Sequence, residues 1–159
     1  MRDEDVPWTT AIHEAAHAVA AIRAGLVFDT VSAMPDEMHE LDGALYWTDL
    51  QESGVVEMPA ELLAVVSLAG PCAEAHVRGL RFDRVFSGEA ATDDRESLAA
   101  LGLSEDQFVV ACRESIALIE RDWPVIERVA QELASVERLT FNEVDAIVAA
   151  EDGRGRLRS

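Results

Sequence analysis

Two histidines and a glutamate occur within five residues near the start of the chain, in the segment HEAAH. His13 and His17 are four residues apart, so in a helix they lie about 40° apart on one face. Two imidazoles so placed can bind one zinc ion, at about 2.0–2.1 Å each. Glu14 is rotated by about 100° and can reach a water on the metal. The motif therefore predicts a hydrolase in which a zinc-activated water attacks a carbonyl and Glu14 is the general base.

A catalytic zinc site needs a third protein ligand and one open position. The longer HExxHxxGxxH pattern, which would supply a third histidine, is absent because position 23 is arginine. Spacing alone does not choose the ligand, and it is expected from a distant segment. The candidates are His39, Glu74, His76, Glu89, Asp93 and Asp94.

The helix that must carry the motif is predicted over residues 7–24, with Thr9 or Thr10 as its cap and a glycine at its end. Two extended runs follow, at 29–34 and 43–50. They predict a β-hairpin with a long acidic loop.

The rest of the chain is predicted to be helical. A helix over 59–78 should be kinked or broken at Gly70-Pro71, and a loop should follow over 81–94. Four later helices are predicted over 93–101, 104–121, 124–137 and 140–153. Capping boxes begin the second and the fourth of them, and Asp-Trp-Pro should separate the second from the third. The fold class is therefore mostly α, with one small β-hairpin or short sheet beside the HExxH helix. We expect a single domain over 1–152 and a flexible basic tail over 153–159.

The composition narrows the class of partner. A net charge of −18 argues against nucleic acid and against anionic membranes. The longest apolar run is about 12 residues and includes Gly-Pro, which is too short to cross a bilayer. No secretory signal is visible, and the two cysteines lack a CxxC context, which favours reduced thiols. We expect a cytoplasmic protein.

The segment AIHEAAHAVAA resembles the zinc helix of the FtsH-type ATP-dependent metalloproteases. Further stretches resemble that family's segments in the same order: TVSAMP with GALYWTD, VVSLAGPCAEAHVRG, SGEAATDDRESL and LTFNEVDAIV. The resemblance spans residues 8–150. It implies a helical zinc-metallopeptidase domain.

The resemblance also implies the site. His13, His17 and Asp94 would bind Zn²⁺, and Glu14 would be the catalytic base. If the match to the family's motif is shifted by one residue, the aspartate directly before Asp94 is the third ligand instead. Glu74 is another alternative, or it accepts a hydrogen bond from a ligand histidine.

The chain departs from the family in ways that bear on its substrates. We expect no membrane anchor, and the sequence contains no GxxxxGK[ST] phosphate loop. Ala16 and Pro71 replace a glycine and an arginine of the family's motifs. The expected activity is thus that of an ATP-independent zinc metalloendopeptidase on peptides or unfolded proteins, aided by a separate ATPase or by self-association. Two other hypotheses stay open: a non-catalytic zinc-binding or protein-interaction module with the same fold, and a metal-free helical scaffold.

Overall fold

The structure, a computed structural model, describes residues 7–34, 44–48, 58–88 and 91–158. Within these ranges the helices are α1 Trp8–Arg23, α2 Ala60–Arg78, α3 Phe82–Phe86, α4 Thr92–Ala100, α5 Glu105–Val136 and α6 Phe141–Arg158. The strands are β1 Phe28–Ser32, β2 Ala44–Trp47 and β3 Arg138–Thr140. The fold is mostly α with a small sheet, as the sequence predicts.

Helix α1 lies at the centre of the fold. Every residue from 11 to 21 is buried, and α1 packs against both α2 and α5. Its small residues, mostly alanines, make it apolar all round, which is typical of a core helix. The predicted threonine cap is wrong: Pro7 precedes the first turn and no side chain caps it. A proline ring holds a φ that suits a helix start.

Helix α2 runs through Gly70-Pro71 without a break. Its buried residues extend from Ala64 to Ala75, and it packs against α1, α4 and α5. This packing outweighs the cost of an internal proline, about 3 kcal/mol. By length and composition α2 could cross a membrane, with a mean hydropathy of 1.2, but 61% of that stretch is buried here, as in a core helix.

The predicted break at Asp-Trp-Pro is also wrong, because α5 is one helix of 32 residues. Buried positions continue at helical spacing on both sides of the exposed Pro124. The apolar face therefore keeps its contacts with the core across the proline, whereas sequence reasoning weighed only the lost hydrogen bond. At the start of α5, Ser104 and Gln107 form the predicted capping box through reciprocal hydrogen bonds.

The sheet has the order β2-β1-β3, and both pairings are antiparallel. Val31 at its centre faces Leu45 on one side and Leu139 on the other. The pairing of β1 with β2 confirms the predicted hairpin strands, and its loop lies outside the described residues. Strand β3 was not predicted, because three residues between two helices are too short to show a strand period.

Two further differences concern short or terminal elements. Helix α3 occupies part of the predicted loop over 81–94, and the rings of its Phe82 and Phe86 stack on each other. Helix α6 includes Gly153, where its end was predicted, and continues to Arg158. Its predicted capping box is confirmed by reciprocal hydrogen bonds between Thr140 and Glu143.

An ion-pair network joins the end of α1 to the two C-terminal helices. Arg23 donates to both carboxylate oxygens of Asp122 on α5, at 3.1 and 3.2 Å. It also donates to both oxygens of Asp152 on α6, at 2.7 and 2.8 Å. The guanidinium thus fixes α1 against α5 and α6, six residues after His17.

Candidate metal centre

Helix α1 presents the three residues of the motif inside the protein. His13, Glu14 and His17 are only 7%, 6% and 6% exposed. One ligand atom from each lies within 4.8 Å of the others. Buried polar groups are costly unless they have partners or bind a metal. This group could hold a metal ion.

Helix α2 fixes both imidazoles from one side. The Nδ1 atom of His17 donates to the backbone carbonyl of Val66 at 2.6 Å. The Nδ1 atom of His13 lies 3.3 Å from Oε1 of Glu74, whose other oxygen accepts a hydrogen bond from Arg78 at 2.9 Å. Metal-binding histidines commonly donate their second ring nitrogen to a carboxylate or a carbonyl in this way. Both Nε2 atoms are therefore left to face one point.

Helix α4 brings Asp94 to that point. Its Oδ2 lies 2.9 Å from Nε2 of His13, and its Oδ1 lies 3.2 Å from Nε2 of His17. Ligand atoms about 2.0–2.2 Å from a tetrahedral zinc ion are separated by about 3.3 Å. The two contact distances are near that separation, and two imidazole nitrogens with a carboxylate are donors that zinc accepts, so these side chains could hold such an ion.

The charge of Asp94 controls the titration of both histidines. Burial alone would lower the pKa of His13, but hydrogen bonds to Asp94 and Glu74 outweigh it and raise the pKa to about 10. Burial likewise opposes the charged form of His17, yet the nearby Asp94 raises its pKa above the usual value. The pKa of Asp94 falls well below its usual range, because the two imidazoles outweigh the effect of its burial.

Glu14 differs electrostatically from Asp94 although both are carboxylates at the same centre. Burial raises the pKa of Glu14, and the nearby His13 and His17 only partly oppose that shift. A carboxylate with a raised pKa accepts a proton more readily near neutral pH. The two acids are thus tuned apart, which is typical of sites with distinct acid–base and charge-holding roles.

Of the described candidates for the third ligand, Asp94 contacts both Nε2 atoms, and the others lie elsewhere. Asp94 reaches both Nε2 atoms, whereas Asp93 is exposed to solvent. Glu74 meets the Nδ1 side of His13, the position expected of an orienting acceptor. His76 is exposed, and its ring packs against that of Trp123 with a centroid distance of 4.2 Å and a tilt of 45°. Two other candidates, His39 and Glu89, lie outside the described residues.

Sequence reasoning missed two participants on α2, the Val66 carbonyl and Gly70. A backbone acceptor leaves no trace in residue types. Gly70 did carry a signal, because a glycine inside an apolar helix often marks a close approach, although it was read only as a kink.

Comparison with protein-family models gives no match, and comparison with curated proteins gives no significant match.

Proposed function

We propose that the protein is a zinc-dependent metallopeptidase that hydrolyses peptide bonds, with His13, His17 and Asp94 as the metal ligands and Glu14 as the general base. One observation carries the proposal: two buried imidazoles, oriented from α2, direct their Nε2 atoms at a single carboxylate. Three ligands of this kind leave a fourth position open, as catalytic zinc sites do.

Zn²⁺ bound there would polarise the scissile carbonyl and lower the pKa of a water molecule. Glu14 would take the proton of the attacking water and return it to the leaving amine. Its raised pKa suits both halves of that transfer. The histidines and Asp94 would hold the reacting centre in place, and Glu74 would keep His13 oriented.

The choice of zinc and of peptide substrates draws further support from the sequence. Among the described residues, the group within 4.8 Å has two nitrogen donors and one carboxylate, Glu14. The contacts of Asp94 with both imidazoles add a second carboxylate, and this set of donors suits zinc in hydrolases. In the HExxH order, Glu14 would lie beside the metal as the base rather than in its ligand set. The resemblance to FtsH-type peptidase domains supports peptide hydrolysis in particular.

The test compares the parent with Glu14→Gln, both loaded with zinc, on a quenched fluorescent peptide library. We expect Glu14→Gln to keep its zinc and to lose turnover by about 10²–10⁴-fold, the usual contribution of a general base. Equal turnover in both proteins would overturn the role of Glu14. Zinc binding with no turnover by the parent on any peptide would instead favour the non-catalytic zinc-binding module.

A further inference from the structure

Gly70 on α2 lies directly against both imidazoles of the candidate metal centre. A Cβ atom built there would lie 2.6 Å from Cε1 of His17 and 2.7 Å from Nε2 of His13, and closer still to Nε2 of His17. Real Cβ atoms essentially never come within 3.0 Å of another heavy atom in this way. A side chain at position 70 would therefore displace one or both rings.

Contacts on both sides hold the two rings in place. Val66, Gly70 and Glu74 follow one another at four-residue spacing, so they form one stripe along α2. Val66 contacts Nδ1 of His17, and Glu74 contacts Nδ1 of His13. Gly70 lies between them, and the absence of a side chain there leaves room for the rings. A shift of the rings that relieves a methyl group at position 70 would disturb their contacts with Val66, Glu74 or Asp94.

We propose that Gly70 is a positioning residue that seats both imidazoles for metal binding. The proposal rests on the zinc-dependent function above. An alanine at this position is expected to have opposite effects on the stability of the helix and on metal binding. Replacing a helical glycine with alanine favours the helix itself, because alanine loses less conformational freedom on folding. At this position the same change works against the metal site.

The first experiment measures zinc affinity of Gly70→Ala by competition with a chelating dye. Gly153→Ala is the matched control, since Gly153 is also helical and a Cβ there meets nothing within 4 Å. We expect Gly70→Ala to lose at least about tenfold in zinc affinity, as when contacts that orient a ligand are removed. The visible spectrum of its cobalt-substituted form should also change, while Gly153→Ala should match the parent in both.

Gly70→Ala with the affinity and cobalt spectrum of the parent would overturn the proposal and leave the zinc-dependent function intact. A parent that binds no zinc would overturn the function itself. The steric claim is then decided by the second experiment, which needs no metal.

The second experiment compares melting temperatures in the presence of a chelator. Gly70→Ala is placed in the parent and in the variant His13→Ala/His17→Ala. We expect a lower melting temperature in the parent background, where the methyl group meets the rings, and a higher one where the rings are gone. The same shift in both backgrounds would overturn the proposal. If Gly70→Ala does not fold in the parent background, folding restored by the two histidine substitutions supports the clash.

Discussion

Zinc must compete with the protons on the ring nitrogens of His13 and His17. The hydrogen-bond partners of these nitrogens indicate how many protons the rings carry. His13 faces a carboxylate at each ring nitrogen, and His17 faces a carbonyl at one nitrogen and Asp94 at the other. An imidazole that donates from both nitrogens is an imidazolium, which agrees with the raised pKa of each ring. Each Nε2 atom must lose its proton to bind a metal. Near pH 7 we therefore expect one proton to be released from His13 for each zinc ion bound, with a further release from His17, whose pKa is also raised.

The assay is calorimetric titration of the metal-free protein with zinc, in two buffers of different ionisation enthalpy at each pH. With one to two protons released, the apparent affinity should rise by about 10–100-fold for each pH unit near neutrality. The gain should diminish as the pH approaches the pKa of His13, about 10. Proton release close to zero at pH 7 would refute the reasoning, because the rings would then be neutral before zinc binds.

Asp94→Asn is the matched variant for this titration. It keeps the shape of the side chain and removes the charge that holds both imidazoles protonated. Proton release should fall. Zinc affinity should fall by on the order of 10²–10³-fold, since structural zinc sites bind with about 10–16 kcal/mol shared among four ligands.

The remaining predictions concern the groups around the site. Glu74→Gln removes the charge that orients His13, so zinc affinity measured by dye competition should fall about 10–100-fold; an unchanged affinity would contradict the orienting role. Arg23→Ala leaves Asp122, which is 5% exposed, without its main partner and should lower the free energy of unfolding by about 2–4 kcal/mol in urea denaturation. Arg128→Ala, which removes a surface ion pair on α5, should cost no more than about 0.5 kcal/mol. Equal midpoints for the two arginine variants would contradict the network.

The pH stability of the metal-free protein follows from the same pKa shifts. The pKa of His13 is higher in the folded protein than its ordinary value of 6.5. Its stabilising contribution is therefore fully present below pH 6.5 and is lost as the pH rises through about 10. The pKa of Asp94 is lowered by folding, so its contribution is present at neutral pH and is lost in acid.

The two histidines of the site could be predicted from the sequence, because both lie on one helix and close in sequence. His13 and His17 meet at i and i+4 whatever the rest of the fold does, provided that the helix forms. Asp94 lies on another helix far along the chain, and spacing left six candidates for its place. The family resemblance selected it, and the contacts to both Nε2 atoms agree with that choice.

The parts of the fold that sequence reasoning missed depend on tertiary packing. Pro71 and Pro124 looked like helix breaks, but each lies in a helix whose buried face continues past it. Strand β3 exists because β1 offers it an edge to pair with. The fit of Gly70 beneath the imidazoles requires α1 and α2 to be packed together before it can be seen.

The most direct test of the account is metal content by mass spectrometry, on protein purified without a metal-affinity tag, beside Asp94→Ala. We expect about one zinc ion per chain in the parent and a clear loss in the variant. A parent that holds no zinc, even after zinc is added back, would contradict the metal centre and leave a helical scaffold. Full retention in Asp94→Ala would contradict the assignment of Asp94 as the third ligand.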